Sequence, residues 1–289
     1  MRKVILRAAI ASVSLLLLMS TGWAAGWKEH ASDHFIVYYG GEDRFAREVL
    51  RKAEEYYRHI ALELGYPRYS EFWLWDKRVR IYIYPDHPSY LKASGEPEWS
   101  HGMADYRRKR ILSYSWGQGF VESLLPHEIA HLIFRDFVGF KGEVPVWVDE
   151  GVAQWAEKQK RPFMRRLAKE AYEKSSLLSL EDMMKIDIRR LKKKDKLYIR
   201  PSQDKEGKPS VLFLSSEAII NAYYLQGFSL VDFLITRYGT DDFTYFCRQL
   251  RDGKSVEEAI KYAYAHYMKN LDDLEQRWRQ YLREMVIEQ

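Results

Sequence analysis

The stretch Leu124 to Glu157, LLPHEIAHLIFRDFVGFKGEVPVWVDEGVAQWAE, constrains this chain more than any other. It contains His127-Glu128-Ile129-Ala130-His131, the HExxH pattern, with apolar residues at helical spacing around it (Leu124, Leu125, Ile129, Leu132, Ile133). The spacing predicts a helix over Val121 to Phe137. On a helix, residues i and i+4 lie one above the other on one face, so two imidazoles at this spacing can grip one ion from one side. Zinc suits such nitrogen ligands, and a catalytic zinc site takes three protein ligands and keeps a position for water. Glu128 follows the first histidine, beside the place such a water would occupy, where a general base is needed. The competing reading is a pair of helix-face histidines hydrogen-bonded within a core.

Metzincin-type zinc enzymes require glycine three and histidine six residues after the second histidine. Phe134 and Phe137 stand there, which excludes that class. Eighteen residues separate His131 from Glu150, which lies in Trp147-Val148-Asp149-Glu150-Gly151. This resembles the gluzincin peptidases, in which a second helix carries a glutamate ligand within W-x-x-E-G, at a spacing like that of the aminopeptidase N branch. Thermolysin-type enzymes have one residue more and an aspartate four residues after the glutamate, where this chain has Gln154. The resemblance implies His127, His131 and Glu150 as ligands of Zn²⁺ and Glu128 as catalytic base. Pro145 suits the entry to that second helix.

The first two dozen residues differ from the rest. Arg2, Lys3 and Arg7 precede an apolar run from Ala8 to Met19, and small residues follow around Gly22 to Ala25. Residues 1–24 are expected to be a secretory signal peptide cleaved after Ala24, with an uncleaved N-terminal anchor as the alternative. The run is short for a membrane span, which needs about 20 residues. The chain is thus expected to be exported, to the periplasm or the medium. Without those residues, Lys+Arg falls from 46 to 43 against 41 Asp+Glu, so the net charge drops from +5 to +2. That removes a whole-protein electrostatic case for a nucleic-acid partner. A single cysteine, Cys247, excludes an internal disulfide and reads as a small buried hydrophobe.

From the N-terminus onward, Phe35 to Tyr39 reads as a strand and Asp43 to Leu64 as an amphipathic helix. Arg78 to Tyr84 reads as a half-buried strand, and Pro88 to Ala93 as a short helix. Gly102–Asp105 and Arg110–Ser115 read as a hairpin pair. Helical patterns follow at Arg161–Lys174, Ser215–Tyr238, Asp241–Arg251, Ser255–Tyr267 and Leu271–Glu288. Between them, Lys185 to Ser210 breaks the periodicity: nine basic residues after Lys185 face four acids. It is expected to be a solvated loop, with a lid, or a patch for anionic lipid or an acidic polymer through Lys185–Lys208, as the functional readings.

The fold class expected is α+β: a small N-terminal β-sheet lobe with helices (residues 25–145), the active-site helix, and a mainly helical C-terminal lobe (146–289). Residues 25–289 together resemble the peptidase MA-like gluzincins, in which an edge strand beside the active-site helix receives extended substrate. Aminopeptidase N-like enzymes carry an oxyanion-stabilising tyrosine in Tyr-x-Lys-Gly downstream of the glutamate. Tyr224-Leu225-Gln226-Gly227 is similar, and assigns the role to Tyr224, with Tyr223 adjacent. Their amine-binding glutamate lies in G-x-M-E-N, and Gly102-Met103-Ala104-Asp105-Tyr106 echoes it with Asp105 in place of an expected acid. The expectation is a zinc-dependent peptidase acting on peptide or protein substrates, read as an endopeptidase. A catalytically silent binding or assembly module of the cell envelope is the alternative. His101, Trp73, Trp75, Trp99 and Trp116 are further candidates to touch substrate, against surface or core positions.

Overall fold

The computed structural model describes residues 26–65, 73–98, 100–139, 144–188, 191 and 197–286; the signal-peptide expectation and Trp99 fall outside them. The architecture is α+β, with ten α-helices, a five-stranded sheet and a two-stranded sheet among the described residues.

The large sheet comprises β1 (Lys28–Ala31), β2 (Phe35–Tyr39), β3 (Val79–Tyr84), β4 (Gly102–Asp105) and β5 (Arg110–Tyr114), in the order β1-β2-β3-β5-β4. The three central strands are parallel, with Val37 opposite Ile81 and Ile81 opposite Ile111. Both outer strands run antiparallel to their neighbours, and Ala104 of β4 faces Ile111 of β5. β2 alternates as its sequence requires: Phe35, Val37 and Tyr39 are buried. They pack under α1 (Asp43–Glu63), whose Ala46, Val49, Ala53, Tyr57 and Ile60 form the inward stripe. The short helix α2 (His87–Ser94), N-capped by Asp86, covers the other face over Tyr84 and Leu112. β4 is an edge strand lying beside the motif helix.

That helix, α3 (Leu125–Val138), is buried on nearly every side, from Leu125 through Ile129, Ile133 and Phe134 to Val138. Its expected start at Val121 falls in a turn of π-helix, Phe120–Leu124, that runs into α3. Pro126 accounts for the change: it has no N–H to give to the carbonyl four residues back, and its ring crowds that carbonyl. α4 (Val146–Ala156) crosses α3 and packs on α7 (Ser216–Tyr238). The α4–α7 crossing is very close. A Cβ on Gly227 would lie 2.9 Å from the Trp147 carbonyl oxygen, and one on Gly151 would sit 2.7 Å from Val231 Cγ2. Glycine at both positions lets the two backbones meet. α5 (Arg161–Glu173), α6 (Leu180–Lys185), α8 (Thr240–Arg251), α9 (Val256–Ala263) and α10 (Leu271–Glu284) complete the helical part. α9 opens on the capping box Ser255/Glu258 and ends earlier than the expected Tyr267. Cys247 is fully buried on α8, as expected.

One expectation is corrected. The described part of Lys185–Ser210 is not a loop: β6 (Leu197–Gln203) and β7 (Pro209–Ser215) form an antiparallel hairpin. Asp204 builds its turn by accepting from the Glu206 and Lys208 amides at 3.0 and 2.8 Å, and Gly207 takes φ +83°. The density of charge concealed a true period of two, Leu197-Ile199-Pro201 against Tyr198-Arg200-Ser202. β1 and α6 had no signal long enough to be read.

Candidate metal centre

α3 and α4 bring three donor side chains together: His127 and His131 one turn apart on α3, and Glu150 from α4. The two Nε2 atoms are 3.1 Å apart, and Glu150 Oε2 lies 3.7 Å from each. The point equidistant from the corners of such a triangle is about 2.0 Å from each, the bond length of a first-row divalent ion to imidazole nitrogen or carboxylate oxygen.

The groups behind the rings fix where the lone pairs point. His131 Nδ1 is 2.9 Å from Asp149 Oδ1, and the other Asp149 oxygen accepts from Arg135 Nη2 and Nε at 2.5 and 3.1 Å. His127 Nδ1 is 3.0 Å from Glu157 Oε1, while Glu157 Oε2 accepts from Ser123 Oγ at 2.6 Å and pairs with Lys160 Nζ at 2.6 Å. Each carboxylate accepts from the Nδ1–H facing it, which leaves the two Nε2 atoms as the ones turned toward each other and toward Glu150. Donor atoms this close need a positive charge among them, a proton shared by the rings or a metal ion. The donor set therefore fits a metal ion.

The surrounding acids favour a positive charge at this point: burial disfavours charge on His131, but Asp149, Glu150 and Glu128 outweigh it and raise its pKa to about 9, so an ion that binds there displaces a proton. Burial likewise opposes ionisation of Asp149 and Glu157. Asp149 is nevertheless lowered by His131 and Arg135, and Glu157 by His127, Lys160 and Ser123. Glu128 is 7 % exposed, and burial pushes its carboxyl upward against the pull of both histidines and a backbone hydrogen bond from Ala104 on β4. The expected base thus stands between the histidines and the edge strand.

Tyr224 and Tyr223 sit on α7 one turn before Gly227, with their rings 6.4 Å apart; Tyr223 is buried and Tyr224 half-buried. A tyrosine whose ring meets the cluster is Tyr106, just after β4: its centroid is 5.9 Å from that of His131, edge-on, and Arg135 lies over it at 5.6 Å. Burial, then Asp149, Glu128 and Glu150, push the Tyr106 phenol upward, so it stays a hydroxyl donor. Asp105 is engaged by Arg108 and Arg110 at 3.1 Å each. His101 is exposed, with Nδ1 2.7 Å from the Tyr114 hydroxyl. Trp73 is core and donates to Asp136, Trp75 is 81 % exposed, and Trp116 is half-buried with its Nε1 on Ser113.

Sequence reading missed Asp149, Glu157, Arg135 and Tyr106. Asp149 was legible in part, as an acid adjoining Glu150; Glu157 had no signal, because only the crossing of α3 and α4 brings it to His127. Gln154 stands where thermolysin-type enzymes place an aspartate; here the acid that holds His131 is Asp149. No protein-family model matches this chain, and no curated protein matches it closely enough to be a relative.

Proposed function

We propose that the chain is a zinc-dependent peptidase that hydrolyses internal peptide bonds outside the cytoplasm. The observation that carries this reading is the triangle of His127 Nε2, His131 Nε2 and Glu150 Oε2, with a buried carboxylate beside it and an edge strand alongside. Zinc bound there would polarise a substrate carbonyl and make a water acidic. His127 and His131 orient toward it through Glu157 and Asp149, and Glu150 adds the anionic donor. Glu128, raised by burial, accepts the proton of the attacking water and returns it to the leaving amine. A phenol hydroxyl, from Tyr224 or from Tyr106, donates to the oxyanion. The outer edge of β4 can pair with an extended peptide and run it past Glu128, which itself accepts from the Ala104 amide of that strand.

The endopeptidase reading rests on Asp105. A group that captures a substrate's terminal amine must be available to it, and two arginines already neutralise this one. Two nitrogens and one carboxylate oxygen favour a first-row transition ion over Mg²⁺ or Ca²⁺, and among those the HExxH helix supports zinc. Residues 1–24 would direct export.

Metal analysis with cleavage of denatured casein tests the proposal. Wild type should hold one zinc per chain and cleave. Glu128→Gln should keep the metal and lose about 10²–10⁴-fold in rate. His131→Ala should lose both. Equal metal loss in the two variants, or wild-type cleavage by Glu128→Gln, would overturn the roles assigned.

A further inference from the structure

The turn that joins β4 to β5 reads Tyr106-Arg107-Arg108-Lys109, and with Arg110 it holds the longest unbroken run of basic residues in the chain. Such a run is ordinarily a solvated surface, since exposed ion pairs contribute little. Here two contacts fix it to α3. Tyr106 sets its ring edge-on to His131, with 5.9 Å between centroids, and Lys109 Nζ pairs with Asp136 at 2.7 Å. Lys109 takes φ +48°, a left-handed conformation that a residue with a side chain keeps only where its surroundings impose it. Among the described residues only Asp105 and Asp136 pair with the four cations. Asp105 is shared by Arg108 and Arg110, and Asp136 also accepts from Trp73 Nε1. Arg107 is exposed and pairs with no described carboxylate, and Arg108 is 71 % exposed at its side chain. Exposed Arg80 of β3 adds a fifth cation opposite Arg110 in the sheet.

We infer that this turn is a specificity subsite, in which Arg107 and Arg108 take an acidic side chain of the peptide substrate. The inference rests on the peptidase reading and names its substrate class. The edge of β4 leads a paired peptide from Glu128, beside Ala104, to Asp105 and on to the turn. A strand rises about 3.3 Å per residue, so a side chain about two to four residues from the cleaved bond, on one side of it, comes within reach of the two guanidiniums. A carboxylate suits them, because a guanidinium offers paired N–H donors to its two oxygens. Asp105 is already neutralised and does not repel an incoming acid, whereas a substrate lysine or arginine would meet like charge. Neither guanidinium belongs to the metal triangle, and both bind the substrate alike before and during the reaction. They therefore favour acidic peptides through KM rather than kcat.

The test uses peptides blocked at both ends, so that a side chain supplies the only carboxylate. One Glu is walked along a neutral sequence, and each peptide is compared with its Gln and Lys counterparts on wild type, Arg107→Gln/Arg108→Gln and Arg107→Glu. Wild type should cleave the Glu peptide with kcat/KM about threefold or more above the Gln peptide, through KM, at one position relative to the cleaved bond. The ratio should fall toward one in 0.5 M salt. The double variant should bring it near one, and Arg107→Glu should turn the preference toward the Lys peptide. Fluorescence anisotropy of the same peptides, labelled, on Glu128→Gln protein reads the preference as affinity without turnover. Cleavage with equal kcat/KM for Glu and Gln peptides would overturn this inference and leave the peptidase reading intact. No cleavage of any peptide, with the Glu form still bound about threefold tighter or more, would sink the peptidase reading while the acidic-peptide subsite stands. A preference for Glu that is the same at every position, or that persists in the double variant, would also overturn the inference, as would equal affinity for the Glu and Gln forms.

Discussion

Asp149→Asn isolates what the groups behind the metal ligands do. The change removes a charge and almost no volume, and Arg135 decides its consequence. Two arginine N–H groups, at 2.5 and 3.1 Å, require an acceptor at the position of Oδ2. The asparagine must therefore present its carbonyl oxygen to Arg135 and its NH₂ to His131, 2.9 Å away in the wild type. His131 Nδ1 then becomes the acceptor and its proton moves to Nε2, the atom facing His127 and Glu150. A ligand in the wrong tautomer must be rearranged before it can bind. The expected loss in metal affinity is about 10–100-fold, roughly 1.4–2.8 kcal/mol. A competition titration against a chromogenic chelator at neutral pH reads it directly. Adding Arg135→Met frees the amide to rotate, so the double variant should recover part of the loss although it is further from wild type. Metal affinity within threefold of wild type in Asp149→Asn, or no recovery in the double variant, would refute the tautomer reasoning.

Further outcomes are expected elsewhere. Gly227→Ala drives a methyl to 2.9 Å from the Trp147 carbonyl, a backbone atom that cannot step aside, and should cost about 1–3 kcal/mol, read as a fall in the melting temperature. Because the same crossing positions Glu150, metal affinity should fall with it. Glu54 accepts from Ser32 Oγ, the His34 amide and His34 Nδ1 at 2.6, 2.9 and 2.8 Å, and these bonds hold its pKa down against partial burial. A depressed carboxyl stabilises the fold above the ordinary carboxylate range and ceases to do so as pH falls through its folded value. Glu54→Ala should therefore cost about 1–3 kcal/mol at neutral pH, shrinking toward the acid end in denaturant titrations across pH. N-acetylated peptides should be cleaved as well as free ones; strict dependence on a free terminal amine would sink the endopeptidase reading.

Several features were legible because their causes are local. The apolar spacing of α1, the alternation of β2 and β3, the capping box of α9 and the two histidines one turn apart all follow from neighbours within a few residues. Glu150 was reachable through its motif. The hairpin at 197–215 was misread although its alternation was present, since local charge was weighed above local period. What no window could reveal is pairing across the chain. The parallel β3–β5 contact and the edge placement of β4 arise from how α1 and α2 pack on the two faces of the sheet. Glu157 finds His127 across 30 residues, and Tyr106 reaches His131 from another element.

The sequence by itself determined which side chains could grip an ion, because ligand identity and helical spacing are properties of a few adjacent residues. Only the tertiary structure decided which way their lone pairs point and what stands behind them. Those depend on α3 and α4 lying within side-chain reach: α4 is held by its close packing on α7, where Gly151 meets Gly227, and α3 by its burial in the core.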